Sequence, residues 1–124
     1  MVCVIGSNGA GKTTLLHSIC GATPIKEGSI VFQEEKIHRL SPEKIVQRGV
    51  SLVPEGRRVF GPLSVRENLL MGAYVRLRHE KWERINRDLR DVFDIFPILE
   101  KREGQLAGQL SGGEQQMLAI ARAL

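Results

Sequence analysis

Gly6-Ser7-Asn8-Gly9-Ala10-Gly11-Lys12-Thr13 decides how this chain is read. It has the form Gly-x-x-x-x-Gly-Lys-Thr. Val2-Cys3-Val4-Ile5 leads into it, and Leu15, Leu16 and Ile19 follow at helical spacing. An apolar strand, a glycine turn and an amphipathic helix form the context that separates a phosphate loop from an ordinary turn. Glycines at 6, 9 and 11 let backbone N–H groups curl around a polyanion without Cβ clashes. The helix opening near Lys12 aims its first amides and its dipole at the same group. Lys12 supplies a positive charge for the β- and γ-phosphates of a nucleoside triphosphate, and the Thr13 hydroxyl is placed to ligate Mg²⁺.

Outward from the loop, residues 2–5 predict a buried parallel strand. A helix is expected over 13–20, stopped by Gly21. Residues 29–33 predict a short strand. Residues 42–48 predict a short helix, with Ser41 as N-cap, Pro42 at the first position and Gly49 as the stop. A second buried strand is expected at 50–53, then a polar, basic loop at 54–62. Past Pro62 the pattern turns helical. Ser64-Val65-Arg66-Glu67 is a capping box opening a helix with Leu69 and Leu70. From 80 to 96 the apolar positions are Trp82, Ile85, Leu89, Val92, Phe93 and Phe96, three or four apart. Its other face offers the i,i+4 pairs Glu80/Arg84, Glu83/Arg87, Arg84/Asp88, Arg87/Asp91 and Arg90/Asp94. A turn or short helix is expected around 98–101, and a last helix after Ser111.

Charge narrows the function classes. Lys and Arg total 18 against 14 Asp and Glu, a net +4 spread over both halves. That is not a nucleic-acid stripe, so no direct nucleic-acid partner is expected. Cys3 and Cys20 lack metal-ligand spacing and read as small core residues. His17, His38 and His79 match no motif. No apolar run approaches the roughly 18 residues of a membrane helix. No signal sequence precedes the loop, so a cytoplasmic protein reaching the membrane through a partner is expected.

Leu110-Ser111-Gly112-Gly113-Glu114 opens the last helix with a second S-x-x-E box. Two glycines directly after a cap raise the entropy of ordering, and make sense where an anion comes close. This segment resembles the signature motif of ABC-transporter ATPase subunits, usually Leu-Ser-Gly-Gly-Gln. The resemblance implies an α/β fold: a P-loop NTPase core of ABC type with a partial parallel sheet, plus an α-helical subdomain. Residues 1–62 would be the partial core, 63–109 the helical subdomain, and 110–124 the signature and its helix. The resemblance further implies ATP and Mg²⁺ as cofactors, with Gly6, Ser7, Asn8, Gly9, Ala10, Gly11, Lys12, Thr13 and Thr14 binding nucleotide. It implies a second ATPase subunit, paired head to tail. Leu110, Ser111, Gly112, Gly113 and Glu114 would then meet the partner's nucleotide, and transmembrane permease subunits would complete the assembly on the inner face of the plasma membrane. Glu114 replaces the commonest Gln but stays polar.

Glu55 stands where the family usually has a Gln that touches Mg²⁺ and the attacking water. A carboxylate can accept from water or meet Mg²⁺, but it cannot donate as an amide does. Pro54-Glu55-Gly56-Arg57-Arg58-Val59-Phe60, followed by Leu63-Ser64-Val65-Arg66-Glu67-Asn68-Leu69, resembles the second ATPase subunit of branched-chain amino-acid importers. Arg57 and Arg58 alone would be a solvated basic loop. The rival readings are a urea or amide importer, a non-transport ATPase of the same superfamily, and a non-catalytic binding protein. The family's Walker B strand with its catalytic Glu, the later switch His and an upstream adenine-stacking aromatic have no match here. The expectation is therefore an incomplete domain, truncated at both ends, with a marginal fold, weak nucleotide binding and little turnover on its own.

Overall fold

The computed structural model describes residues 2–77 and 79–124, and it divides into two compact units, 1–52 and 53–124. Met1, counted above in the partial core, lies outside the described residues, as does Arg78 in the helical subdomain.

In the first unit, helix α1 (Lys12–Ile19) follows the glycine loop. It ends as expected at Gly21, whose φ is +73°. The amide of Ala22 donates to the carbonyl of His17 (2.8 Å) and that of Gly21 to Ser18 (3.2 Å), a pair of bonds that satisfies the last carbonyls. Gly21 has a second role. A Cβ there would lie 2.8 Å from Ile45 Cδ1, so its bare backbone receives that side chain. Ile45 and Ile37 are fully buried and form the small core of this unit. Ile45 belongs to α2 (Pro42–Val46), which has Ser41 at its N-cap position without a side-chain capping bond and is followed by Gly49 at φ +85°.

The strand expected at 29–33 is half of a hairpin. β1 (Val31–Phe32) pairs antiparallel with β2 (Glu35–Lys36), Val31 opposite Lys36. Gln33 and Glu34 turn between them at φ +47° and +68°. Such turns favour Asn or Gly, so nothing in Gln33-Glu34 announced β2. Arg48 clamps Glu35 with Nε and Nη2, each at 2.6 Å. The hydrogen bonds from Arg48 hold the Glu35 carboxyl below its usual range.

The strands expected at 2–5 and 50–53 are not formed among the described residues. The one sheet present is the β1–β2 hairpin. Val2 and Ile5 are 92% and 91% exposed. A parallel strand needs at least one neighbouring strand and cover on its faces, and residues 2–5 have neither among the described residues. Cys3 is correspondingly exposed rather than a core residue, while Cys20 is half-buried and burial raises its thiol pKa.

The second unit is helical: α3 (Val65–Gly72), α4 (Trp82–Ile95), α5 (Pro97–Lys101), a 3₁₀ turn (Ala107–Gln109) and α6 (Gly112–Ala121). Both capping boxes form. Ser64 N donates to Glu67 Oε2 at 2.7 Å, and Ser111 N to Glu114 Oε2 at 2.8 Å. Val65, Leu69, Leu89, Phe93, Leu99, Leu110 and Leu118 pack into one core with Ala107 and Ala121. Ile85, Leu89 and Phe93 carry the buried stripe of α4, but Trp82 at its start stays half-exposed. Of the five expected charge pairs on α4, only Glu80/Arg84 closes among the described residues, at 3.4 Å. Asp88 pairs instead with Arg76, which also holds Glu80, tying the preceding turn to α4.

Two contacts fix the loop that precedes α3. Asn68 is fully buried and accepts from the amide of Phe60 (2.8 Å). It donates to the carbonyls of Phe60, Leu63 and Ser64. Leu63 and Val65 meanwhile bond to residues 105–107: the Ala107 amide donates to Leu63 O (2.8 Å) and the Val65 amide to Gln105 O (2.9 Å). At the far end of α3, a Cβ on Gly72 would overlap the carbonyl oxygen of Arg122, so this glycine lets α3 and α6 touch backbone to backbone. No described helix is long and apolar enough to cross a membrane.

Candidate phosphate-binding segments

The glycine loop folds back on its own lysine. Lys12 Nζ donates to the carbonyls of Gly6 (2.7 Å) and Ser7 (2.8 Å). The Ala10 amide donates to Ser7 O (3.2 Å) and closes the turn. Gly9 and Gly11 have φ +84° and +87°, and a Cβ on either would meet nothing within 4 Å. Both positions need glycine for conformation, and both open onto free space. Gly6 differs: its Cβ would come within 3.1 Å of Ala10 Cβ.

Gly11 is also the N-cap of α1, and no side chain caps this helix end. The first amide to find a helical carbonyl is that of Leu15, on Gly11 O at 2.9 Å. The amides of Lys12, Thr13 and Thr14 form the first turn, whose donors have no carbonyl within the helix. Ser7, Asn8, Ala10 and Thr13 are exposed. A site that keeps several backbone donors free, with one ammonium bound only by exchangeable carbonyl contacts, fits a phosphate chain. Ser7, Thr13 and Thr14 supply the hydroxyls of this loop. Among the described residues no cluster of three His, Cys, Asp or Glu side chains could hold a metal by itself.

The second segment, in the other unit, is built differently. Ser111 Oγ accepts from the Glu114 amide (3.3 Å), while Glu114 accepts from the Ser111 amide and pairs with Arg102 at 3.0 Å. These contacts, led by the Ser111 backbone N–H, depress the Glu114 pKa. The Glu114 carboxylate is thus spent on the cap. Leu110 points into the core rather than to solvent. Ser111 and Gly113 are exposed, and the space around Gly113 is open. Gly112 is covered by the Arg57 guanidinium, whose Nη1 donates to Gln115 Oε1 at 3.3 Å. Glu55 lies exposed in the turn just before Arg57.

The sequence alone gave no notice of Arg57, Gln115, Arg102 or Asn68 as partners of these segments. Arg57 sits 58 positions from Gln115, and no short motif spans such a distance.

A family model described as "ABC transporter" matches residues 1–124. The chain is 44% identical over 124 residues to the high-affinity branched-chain amino acid transport ATP-binding protein BraG of Pseudomonas aeruginosa, covering all of this chain and 52% of that protein. It is 40% identical over 121 residues to the probable branched-chain amino acid transport ATP-binding protein LivF of Archaeoglobus fulgidus, covering 98% of this chain and 50% of that one. The chain therefore spans about half the length of these curated relatives. Among solved structures, the ADP conformation of an ATP-binding cassette of an ABC transporter superposes with a TM-score of 0.78 at 29% identity, covering 97% of this chain and 51% of that one. A dimeric post-hydrolysis cassette bound to ADP and Pi superposes with a TM-score of 0.74 at 25% identity, covering 95% and 53%. The α/β P-loop fold implied by the family resemblance is thus the fold of these cassettes.

Proposed function

We propose that this chain, which belongs to the ABC transporter family, supplies the nucleotide grip of an importer ATPase subunit, and that the importer carries branched-chain amino acids. The observation that carries the reading is the loop at 6–14, where Lys12 rests on the carbonyls of Gly6 and Ser7 while the amides of α1 stay uncapped. The transported substrate rests on likeness to the branched-chain relatives named above, and on Glu55-Gly56-Arg57-Arg58.

In this reading Gly9, Gly11, Lys12, Thr13 and Thr14 turn their N–H groups to the phosphates of ATP. Lys12 leaves its two carbonyls for phosphate oxygens, exchanging neutral acceptors for charged ones that bind more strongly. Thr13 offers its hydroxyl to Mg²⁺. Bound Mg²⁺ would supply charge stabilisation at the phosphate oxygens. Ser111 and Gly113 face the nucleotide of a second ATPase subunit placed head to tail. Leu110, Gly112 and Glu114 support them: one anchors in the core, one admits Arg57 and one caps the helix. Glu55 stays exposed where it can accept a hydrogen bond from water or meet Mg²⁺. The assembly would sit on the inner face of the plasma membrane, held by transmembrane permease subunits.

Titration of the purified chain with MgATP, followed by amide shifts at residues 6–14, tests the grip. Saturable shifts there that vanish in Lys12→Ala are expected, with affinity falling at least about tenfold for the loss of a charged phosphate contact worth some 1.5–3 kcal/mol. Unchanged affinity in Lys12→Ala would refute it.

A further inference from the structure

Two adjacent glycines open α6, and they stand in different surroundings. A Cβ on Gly113 would meet nothing within 4 Å. A Cβ on Gly112 would lie 2.7 Å from Arg57 Nη2 and 2.9 Å from both Cζ and Nη1. Gly112 is the first residue of α6, so its backbone conformation does not demand glycine. The space a Cβ would take is occupied by the guanidinium of Arg57, the far end of a flexible side chain, which would have to shift to admit it.

Arg57 is held there from both sides. Its Nη1 donates to Gln115 Oε1 (3.3 Å), and Gln115 Nε2 donates in turn to Ala107 O (3.3 Å). Its backbone is equally committed. Gly56, Arg57 and Arg58 have φ +79°, +65° and +46°, and the Arg58 amide donates back to Gly56 O at 2.6 Å. Consecutive left-handed residues with side chains persist only where their surroundings hold them. Arg122, at the C-terminal end of α6, supplies part of that hold. Its Nη2 donates to Arg58 O (2.9 Å), and its guanidinium lies 5.1 Å from the Phe60 ring centroid. One helix thus grips residues 57–60 at its first turn and again at its last.

We infer that Arg57 is a positioning residue: its guanidinium fills the side-chain-free space on Gly112 and locks the 54–58 loop to the N-terminus of α6. Displacement of the first turn of α6 moves Arg57, and displacement of the loop carrying Glu55 moves Gly112. The consequence for ATP chemistry rests on the proposed role of Ser111 and Gly113 in meeting a partner's nucleotide. The mechanical link itself needs no nucleotide. It also gives Gly112 and Gly113 separate purposes, one to admit an arginine of the same chain and one to leave the helix end open.

Amide spectra of the ¹⁵N-labelled full chain test the link. Gly112→Ala is expected to shift the amides of residues 55–58, and Gly113→Ala to leave them in place. With Arg57→Ala already present, Gly112→Ala should no longer move residues 55–58. Arg57→Lys should behave like Arg57→Ala, because an ammonium lacks the planar fork that spans Gly112 and Gln115. Equal shifts from the two glycine variants, or shifts from Gly112→Ala that persist without Arg57, would overturn the inference. Should Gly112→Ala unfold the chain, recovery of the native spectrum in Arg57→Ala/Gly112→Ala supports it, and failure to recover refutes it. No nucleotide enters these spectra, so their outcome is independent of whether residues 6–14 bind MgATP.

Discussion

The two glycine segments of this chain both sit at helix N-termini, yet they are built in opposite ways. At α1 the cap is Gly11 in a left-handed conformation, with no side chain on the helix amides and no buried residue along the helix. At α6 the cap is Ser111 in a closed box with Glu114, and Leu118, Ala119 and Ala121 are buried behind it. The first end leaves its donors free for a ligand and draws little support from packing. The second has spent the Glu114 amide on its own cap and is set rigidly by a core. A primary phosphate grip gains from uncommitted donors. A segment that meets another subunit's phosphate gains from being presented in one fixed place. The difference teaches that the same helix-end chemistry can serve capture or presentation, depending on what the helix behind it is packed against.

The largest test of that contrast is a pair of truncations. Leu118→Ala removes a fully buried side chain from the core of the second unit. It should cost about 2–5 kcal/mol, the range for buried leucines that leave a cavity. Leu15→Ala, on the exposed side of α1, should cost less than about 0.5 kcal/mol. Urea unfolding followed by hydrogen exchange reads both. Comparable costs at the two sites would erase the contrast. Protection is also expected to be high for α3 and α6 and low for α1.

How much of this was legible in advance follows the same division. The Gly21 stop, the Pro42 start of α2 and both capping boxes are local patterns, set by residues within about four positions of one another, and all form, while the turn at 6–13 closes over six positions, Lys12 on Gly6. The strands at 2–5 and 50–53 were read from apolar runs, but a strand needs partners, and an apolar run does not carry them. β2 was hidden because Gln33 and Glu34 are unusual residues for a tight turn. The charge pairs of α4 were read by spacing, and Asp88 took an arginine from another segment instead. At the candidate sites the residues proposed to face phosphate belong to short motifs, Gly6–Thr13 and Leu110–Glu114. The support of the second segment, Arg57 on Gly112 and Arg102 on Glu114, lies in contacts 55 and 12 positions apart that no short motif encodes.

A smaller effect isolates the loop that carries Arg57. Asn68 makes four hydrogen bonds to residues 60–64 from a fully buried position. Asn68→Ala strands the Phe60 amide and relaxes three carbonyls, which should destabilise the second unit by about 1–3 kcal/mol. It should also raise the exchange rate of the Phe60 amide above that of α3. A stable variant with an unchanged Phe60 amide would mean that the grip of α6 on residues 57–60 is enough by itself.

The smallest effect sets the two helix ends against each other by pH. Glu67 and Glu114 both have depressed pKa values. For Glu67 the Ser64 side chain is the leading cause, and for Glu114 the Ser111 backbone N–H. A carboxyl with a lower pKa in the folded state binds fewer protons there than in the unfolded chain, so stability rises with pH between the two values. The contribution is complete above the ordinary carboxylate range and is lost as pH falls through the depressed folded pKa. α1 has no acidic residue in its first turn, so the amides of Lys12, Thr13 and Thr14 have no capping carboxylate to follow in that window. Acid titration monitored by amide shifts should therefore move the first turns of α3 and α6 and leave that of α1 nearly still. Glu67→Gln/Glu114→Gln should flatten the acid limb of stability without unfolding the caps, since glutamine still accepts the Ser64 and Ser111 amides. Glu67 is exposed whereas the Glu114 side chain is largely covered, so added salt should weaken the contribution of Glu67 more than that of Glu114. An α1 first turn that titrates alongside α6 would show that the uncapped end is not free, and the distinction between capture and presentation would fail with it.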